Sequence, residues 1–261
     1  MPFDAERFRQ VTLHAQAKLG QPLTYQPVTG STNDDALLAA RAGAPEGSLF
    51  VADEQTAGRG RRGTSWLAQP GESLLFSVLL RPTLELGQVS ALTLAIGLAL
   101  RDAVAPLIES EPQLKWPNDL YVNQQKLAGV LVESQLQGER LQAVVVGVGL
   151  NVATRIFPEE IRARATSLVL LGAPSVAREP LLRAVLDAIA LRVGAYQRTG
   201  VAGILAELNA ADALRGRRVR VERQIGVGCG LDPQGRLLLA DDAGQVHAIL
   251  SGTVELDWRQ A

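Results

Sequence analysis

The chain has 261 residues, a length that fits one large domain with a smaller appendage better than three small domains. Its 26 basic and 27 acidic residues give a net charge of -1, which excludes a general electrostatic attraction to nucleic acid or to an anionic membrane. One cysteine, Cys229, excludes an intramolecular disulfide, and with His14 and His247 it is too few for a typical structural zinc site. We expect a reduced, cytoplasmic setting.

Two segments show whether the sequence predicts a secretory signal or a membrane-spanning helix: the start of the chain and its longest apolar stretch. The first ten residues contain Asp4 and Glu6 and no apolar core, so they do not resemble a secretory signal. The stretch from Val89 to Leu107 is interrupted by polar and charged residues, and we expect it to fall short of a membrane span.

Apolar periodicity predicts the elements of the first 150 residues. A weak helix covers 5–19 and a strand covers 23–28, after which Ser31 is interpreted as the N-cap of a helix that ends at Gly43. The next predicted elements are strands at 48–53 and 73–80, a helix at 88–108, strands at 114–116 and 120–122, a turn at 123–124, and strands at 127–133 and 141–150. Hairpins outnumber strand-helix-strand crossovers, so we predict an α+β fold whose mixed sheet is mainly antiparallel, with helices on one face.

The remaining residues change character near residue 214. An amphipathic helix at 180–196 and a weaker helix at 201–214 come first. Short strands at roughly ten-residue spacing then follow, at 219–221, 225–228, 237–239, 246–250 and 254–256. We predict two domains, 1–213 and 214–261, of which the second is a small β-barrel.

A long loop rich in glycine and arginine, residues 54–71, separates two core strands. Loops of this length inside compact domains are usually functional or disordered, and the arginines favour function. Gly58 to Gly63 has the glycine spacing of a dinucleotide-binding motif, but a strand rather than a helix follows, so that interpretation is rejected. Arg59, Arg61 and Arg62 repel one another unless an anion or solvent offsets them; anion binding is favoured over a solvated basic turn.

Two further segments combine cations with turns or small residues. Lys115 to Leu120 joins a lysine, an indole, a proline, an asparagine and an aspartate. A structural turn explains it as well as a site does, in which the aspartate orients the lysine or holds magnesium. Lys126 opens a returning strand, and the small residues Ala128 and Gly129 let a ligand approach the backbone. Alone, Lys126 would be a solvated strand end, and Gly147 to Asn151 would be a bulge or a strand end.

Known catalytic signatures are absent from the sequence: it has no Gly-x-Ser-x-Gly and no His-Glu-x-x-His, and neither histidine has a recognisable catalytic context. Candidate site residues are Arg, Lys, Asn and Asp. This inventory points to chemistry that positions anions and forms no covalent enzyme intermediate.

Five motifs, in this order, strongly resemble those of the biotin protein ligases, or biotin–[acetyl-CoA-carboxylase] synthetases. They are Ser31-Thr32-Asn33, Glu54 to Gly63, Lys115 to Asp119, Lys126 to Gly129 and Gly147 to Asn151. The resemblance covers residues from about 23 to 256. It implies a class II synthetase-like catalytic domain of the biotin–lipoate ligase type over 1–213, followed by an SH3-like domain over 214–261.

The resemblance implies a reaction in two steps. The biotin carboxylate attacks the α-phosphorus of ATP, giving biotinyl-5'-AMP and pyrophosphate, and a lysine of the biotin carboxyl carrier protein of acetyl-CoA carboxylase then takes the biotinyl group. ATP and biotin are thus the expected substrates, with Mg²⁺ as cofactor. A carboxylate is already ionised at neutral pH, so the first step needs cations and no general base.

Motif position also implies residue roles. The biotin contacts would be Ser31, Thr32, Asn33, Gln55, Arg59, Gly60, Arg61, Lys126 and Gly129. The ATP contacts would be Arg59, Lys115, Trp116, Asn118, Asp119 and Asn151. Lys126 and Arg61 would be catalytic, Arg61 in a loop that folds over biotin and the adenylate, and Asp119 is the candidate magnesium ligand.

Some members of this family carry an amino-terminal winged helix-turn-helix, and the stretch before the first predicted strand is too short for one. We therefore expect a monofunctional ligase without specific DNA or membrane binding, as a monomer or weak homodimer. The alternatives are a lipoate ligase or octanoyltransferase, a DNA-binding regulator, and a non-catalytic biotin-binding module. A basic run favours the regulator, although a solvated linker explains it as well: Arg215, Arg217, Arg218, Arg220 and Arg223.

Overall fold

The computed structural model describes residues 2–13, 18–173 and 176–256. Three sequence-based predictions therefore fall partly outside the described residues. They are the statement that His14 belongs to no zinc or catalytic site, the end of the helix predicted at 5–19, and the last five residues of the predicted second domain.

The helices are α1 (Ala5–Thr12), α2 (Thr32–Arg41), α3 (Leu86–Val104), α4 (Glu159–Arg162), α5 (Arg178–Thr199) and α6 (Leu205–Ala210). The strands of the first sheet are β1 (Leu23–Thr29), β2 (Leu49–Gln55), β3 (Ser73–Leu80), β4 (Gln113–Lys115), β5 (Asp119–Val122), β6 (Gln125–Gln137) and β7 (Arg140–Asn151). Those of the second sheet are β8 (Arg218–Val221), β9 (Gln224–Leu231), β10 (Leu237–Ala240), β11 (Val246–Ile249) and β12 (Val254–Leu256). Short 3-10 turns lie at Arg61–Gly63, Ala105–Leu107 and Ala202–Ile204.

The first sheet has the strand order β1-β2-β3-β7-β6-β5-β4. Only β1 and β2 pair in parallel; every other neighbouring pair is antiparallel. This confirms the predicted α+β fold with a mixed, mainly antiparallel sheet.

Helices cover both faces of this sheet. On one face α3 and α5 pack against the large apolar core, whereas on the other Ala36 and Ala40 of α2 pack against Phe50, Leu79 and Val145. The prediction of helices on one face is therefore wrong. Every residue of β3 is buried, so an apolar strand in the middle of the sheet needs cover on both sides.

The apolar helix α3 and the 3-10 turn after it form one helical segment, Leu86–Leu107. By length and composition this segment is apolar enough to cross a membrane, with a mean hydropathy of 1.4 over its most apolar 18 residues. This corrects the expectation that its polar residues rule out a membrane span. However, 61% of its most apolar stretch is buried inside the protein. The segment is packed as the central helix of the core.

The second sheet is antiparallel throughout and has the order β11-β10-β9-β8-β12. The connection before it is attached to the first sheet, because Leu114 in β4 exchanges backbone hydrogen bonds with Ala211 and Ala213. The Trp116 indole Nε1 donates to the Gly235 carbonyl at 3.0 Å. One apolar core runs through both sheets, and the division at 213/214 stays a prediction.

Asp212 lies within this connection and is 9% exposed. Its Oδ1 accepts a hydrogen bond from the Leu214 amide at 2.9 Å. Burial raises the pKa of Asp212 to about 6, against the opposing effects of that hydrogen bond and of Arg215. Between the unfolded pKa of 3.8 and the folded value, the folded chain holds a proton that the unfolded chain has released. Stability therefore falls as pH rises through this window.

Asp212→Asn should stabilise the protein above pH 6, because asparagine keeps the acceptor and removes the buried charge. We expect the free energy of unfolding at pH 7.5 to rise by up to about 3 kcal/mol. Urea unfolding at pH 7.5 and at pH 4 measures it. The gain should shrink toward zero at pH 4; an equal gain at both pH values would contradict the assignment to this carboxyl group.

Candidate functional site

A cavity of about 1000 Å³ opens on the face of the first sheet that carries α2. Every residue that the sequence analysis assigned to biotin or ATP lines it, from Ser31 at the start of α2 to Asn151 at the end of β7. Residues 161, 163–165 and 252–256 complete the wall. Strand pairing thus brings the five motifs, scattered along the sequence, to one place.

A network of buried hydroxyl and amide groups forms one end of the cavity. Gln55 Oε1 accepts from the backbone amide of Thr32 at 2.8 Å and from its Oγ1 at 3.0 Å. Ser77 Oγ donates to Asn33 Oδ1 at 2.6 Å, and Asn33 Nδ2 donates to Glu133 Oε2 at 2.6 Å. These bonds hold the polar side chains in position before a ligand binds. Polar groups held in this way can bind a small polar group selectively.

Ser31 occupies the N-cap position of α2 with an extended backbone, but its side chain makes no capping hydrogen bond. The prediction that it caps the helix is correct for its position and wrong for its side chain. The hydroxyl group, on a residue only 3% exposed, belongs to the cavity wall instead.

Gly147 and Gly149 provide the floor of the cavity. Strand β7 runs through both glycines without a break in its pairing with β3 and β6, so the bulge interpretation is wrong. A Cβ atom at Gly147 would collide with the Asn33 carboxamide, and one at Gly149 would collide with the Trp66 indole. The glycines are needed because these two side chains lie flat on the strand.

Trp66, which the sequence analysis missed, covers this floor. Its ring also lies 3.0 Å from where a Cβ atom of Gly129 would be, and the Lys126 ammonium lies 5.4 Å from the ring centroid. Its Nε1 is buried and donates no hydrogen bond within the described structure. An aromatic residue three positions after Gly63, the last glycine of the Gly58 to Gly63 motif, was the available signal.

The three loop arginines have different environments. Arg59 forms a two-pronged ion pair with Asp34, at 2.6 Å for each nitrogen, and lies 3.6 Å from Glu133. Arg62 pairs with Glu222 of the second sheet. Carboxylates of the protein itself therefore offset the mutual repulsion for these two arginines, which corrects the expectation that a bound anion or solvent does so. Arg59 in turn holds the pKa of Asp34 below its usual value.

Arg61 is the loop arginine that lacks such a partner: no carboxylate of residues 2–13, 18–173 and 176–256 lies within ion-pair distance of it. Burial, and then Arg62, lower the pKa of its guanidinium, whereas Asp119 raises it. A half-buried cation that faces a cavity without a bound counterion is a ready anion contact.

Lysines and Asp119 form the opposite end of the cavity. Lys126 Nζ pairs with Asp119 Oδ1 at 2.7 Å. The Lys115 ammonium lies 5.2 Å from the centroid of the Tyr121 ring. Burial is the largest influence on Lys115 and lowers its pKa; Asp119 opposes this, while Lys126 and Arg164 add to it.

Three residues of the cavity wall donate hydrogen bonds to backbone carbonyl groups of the protein. They are Trp116, Asn118 and Asn151. Trp116 donates to Gly235, Asn118 Nδ2 donates to the Val130 carbonyl at 2.9 Å, and Asn151 Nδ2 donates to the Thr166 carbonyl at 3.0 Å. These bonds shape the wall. Contact between these residues and ATP stays a prediction.

Asp119 alone does not make a resident magnesium site. Within the described ranges, no three side chains of His, Cys, Asp or Glu come together as metal ligands. The Asp119 oxygen nearest to Lys126 is already paired with that lysine. Magnesium held by the protein alone does not fit this set of donors, because Mg²⁺ prefers six oxygen ligands.

A smaller pocket of about 300 Å³ shares the Trp66 wall with the main cavity. Phe157 and Pro158 supply apolar surface opposite. Thr154 also lines it, and its buried Oγ1, like Trp66 Nε1, makes no hydrogen bond within the described structure. An aromatic pocket of this size suits a flat heterocycle.

Comparisons with known proteins agree on one family. The model of the "Biotin/lipoate A/B protein ligase family" matches residues 25–151. The "Biotin--[acetyl-CoA-carboxylase] ligase" of Mycobacterium tuberculosis is 38% identical over 266 residues, covering 97% of this chain and 95% of that protein. The "Bifunctional ligase/repressor BirA" of Bacillus subtilis is 34% identical over 244 residues, covering 91% of this chain and 75% of that protein.

A solved structure shows the same architecture. The biotin protein ligase from Aquifex aeolicus in complex with biotin and ATP superposes with a TM-score of 0.79 at 31% sequence identity. The match covers 91% of this chain and 99% of that one.

Gly149→Ala should displace the Trp66 ring from the cavity floor, since the added methyl group meets the indole directly. We expect a change in the fluorescence emission of Trp66, assigned by difference against Trp66→Phe. Gly87→Ala is the matched control, because a Cβ atom there meets nothing within 4 Å. If the spectra of Gly149→Ala and the control were the same, the proposed packing of Trp66 on β7 would be wrong.

Proposed function

The chain belongs to the biotin/lipoate A/B protein ligase family, and we propose that within it the protein is a biotin–[acetyl-CoA-carboxylase] ligase. It activates biotin with ATP as biotinyl-5'-AMP and transfers the biotinyl group to a lysine of a biotin carboxyl carrier protein. Relatives named for biotin, and not lipoate, favour this reaction over that of a lipoate ligase or octanoyltransferase.

The charge of the cavity carries this proposal. A chain of net charge -1 lines its main cavity with two acidic residues, Asp119 and Glu255, and with six basic ones. The six are Arg59, Arg61, Arg62, Lys115, Lys126 and Arg164. Such a cavity suits two anions that must meet, a carboxylate and a triphosphate, because their mutual repulsion is offset only by cations close to both.

Biotin is assigned to the polar end of the cavity. Its ureido ring offers a carbonyl acceptor and two N–H donors, and Ser31, Thr32, Asn33 and Gln55 offer the complementary hydroxyl and amide groups. The apolar valeryl chain would cross the glycine floor of β7. The biotin carboxylate would then lie near Lys126, at the end occupied by lysines.

The first step follows from this placement. The biotin carboxylate oxygen attacks the α-phosphorus of ATP; the new C–O–P bond forms as the bond to the β-phosphate oxygen breaks, and pyrophosphate leaves. Lys126 and Arg61 stabilise negative charge on the phosphoryl oxygens. Asp119 holds the Lys126 ammonium in place through its 2.7 Å ion pair. No residue needs to accept a proton, since the attacking carboxylate is already ionised.

In the second step a lysine amine of the carrier attacks the acyl carbon, an amide forms, the mixed anhydride bond breaks, and AMP leaves. The adenylate is reactive, so the site must keep it from water and from other amines until the carrier arrives. The loop with Arg59, Gly60 and Arg61 forms the outer wall, and we assign that protection to it.

The nucleotide base is assigned to the smaller pocket beside Trp66. Stacking on the indole and on Phe157 would hold the adenine ring. Magnesium is assigned to the ATP phosphates, as the complex in which ATP is supplied, with Asp119 as a nearby carboxylate.

Sequence-specific DNA binding is not part of the proposal. Phe8 of α1 is fully buried and α1 packs on α5, so this helix belongs to the core. In the basic run of the second sheet, Arg218 pairs with Asp242, and Arg220 lies near Glu255. These carboxylates reduce the positive electrostatic potential of the basic run. We keep the cytoplasm as the proposed compartment; the monomer or weak homodimer stays a prediction.

The proposal is tested with purified protein, ATP, Mg²⁺, biotin and a biotin carboxyl carrier domain. We expect mass spectrometry to show one biotinyl group on one carrier lysine, and none when that lysine is replaced by arginine. Lipoate in place of biotin is the control. Modification by lipoate at a comparable rate would overturn the choice of substrate.

Lys126→Ala should slow adenylate formation by about 100-fold or more at saturating biotin, because one well-placed cation at developing charge contributes that much to rate. Lys126→Arg, which keeps the charge, should lose less. Biotin-dependent pyrophosphate release measures both, and circular dichroism checks the fold. A near-normal rate for Lys126→Ala would remove this lysine from the catalytic step.

Arg61→Gly should produce a different defect, because the loop then holds the adenylate less firmly. We expect escaped biotinyl-5'-AMP to label lysines of a bystander protein such as serum albumin. Arg62→Gly is the matched control, since that side chain pairs with Glu222. If carrier labelling falls while albumin stays unlabelled, the protective role of Arg61 is refuted.

A further inference from the structure

The base of the ligand-binding loop, residues 56–72, has an unusual construction. Strands β2 and β3 pair only as far as Ala52 and Leu75. Beyond that point they separate, and the end of β2 is paired with β1 alone. The two ends of the loop, at Asp53 and Ser73, therefore need some other connection.

Arg178, at the start of α5, supplies this connection. Its Nη2 pairs with Asp53 Oδ1 at 2.7 Å, and its Nη1 donates to the Ser73 carbonyl at 3.2 Å. One guanidinium thus reaches the strand that leaves for the loop and the strand that returns from it. The Gly71 amide also donates to the Asp53 carbonyl at 3.0 Å.

This bridge is buried and rigid. Asp53 is 8% exposed and Arg178 is 7% exposed. The second carboxylate oxygen accepts from the Tyr25 hydroxyl at 2.5 Å, and Oδ1 also accepts from the Phe3 amide at 3.1 Å. Burial and the Asp53 carboxylate raise the pKa of Tyr25 to about 12, so the phenol stays protonated and keeps donating.

The bridge lies directly beneath the site. Gln55, which binds Thr32, follows Asp53 by two residues on the same strand. Ser73 Oγ donates to Asn151 Oδ1 at 3.4 Å, so the returning end of the loop contacts the cavity wall on the opposite side. A shift at the bridge would move the loop and the cavity wall at Gln55 and Asn151.

We propose that Asp53 and Arg178 are positioning residues that clamp the two ends of the ligand-binding loop, so that its arginines lie over the reacting anions. The guanidinium fork suits this role, because its two nitrogens reach the carboxylate and the Ser73 carbonyl separately, whereas lysine has a single nitrogen for both. The catalytic part of this inference rests on the proposed function; the mechanical part does not.

The test compares Arg178→Lys with Arg183→Lys. Arg183 is also on α5 and is also 7% exposed. It also joins an aspartate, Asp187, to a backbone carbonyl, that of Leu19, but neither partner belongs to the loop or its ends. Trypsin cleavage after Arg59, Arg61 or Arg62 in the ligand-free chain, followed by mass spectrometry, reports on the loop. KM for biotin and kcat report on the site.

For Arg178→Lys we expect loop cleavage to be about tenfold faster and KM for biotin to be about tenfold higher, with a smaller change in kcat at saturating biotin. Arg183→Lys should leave loop cleavage and KM as in the wild type, even at an equal loss of Tm. Equal changes in the two variants, or wild-type values for Arg178→Lys, would overturn the clamp.

Asp53→Asn tests the same clamp from the other side and should behave as Arg178→Lys does, which covers a failure of the latter to fold. The cleavage measurement needs no substrate. A wild-type chain that makes no biotinyl-5'-AMP would refute the proposed function and leave the cleavage result to decide the clamp.

Discussion

The central strands of the first sheet are apolar on both faces, and this constraint organises the molecule. Both faces of β3 and β7 must be covered, which places α3 and α5 on one side and α2 on the other. Beside α2 no helix covers the sheet; the Asn33 and Trp66 side chains pack there, directly on Gly147 and Gly149. The cavity is therefore the part of this face that helices leave open.

Electrostatics then decides what the open part can hold. Three of the six cations around the cavity have carboxylate partners within the described residues: Asp119 for Lys126, Asp34 for Arg59 and Glu222 for Arg62. These pairs keep the charges oriented at little cost, and the excess of cations still leaves a positive field for two anionic substrates. Arg61, Lys115 and Arg164 have no such partner in the described part of the chain. Of these three, Arg61 is the one on the ligand-binding loop, so we expect it to respond to a bound adenylate.

The sequence predicts much of the fold and most residues of the site, the fold from apolar periodicity and the site from motifs. Strand and helix positions follow from apolar periodicity, which is local in the chain. Lys115 and Lys126 were identified because their motifs are contiguous. Glu133 and Thr154 were missed, since no local pattern marks them: strand register brings Glu133 to Asn33, and a loop brings Thr154 to Trp66. The placement of α2 on the second face also depends on tertiary packing.

The central claim is that this cavity joins a carboxylate to the α-phosphate of ATP. The most direct measurement is single-turnover incubation with biotin and excess ATP, without carrier protein, followed by mass spectrometry of the bound and released products. The account predicts biotinyl-5'-AMP bound to the protein, together with an equal amount of pyrophosphate in solution. Release of ADP and orthophosphate in its place, or turnover of ATP that does not depend on biotin, would contradict it.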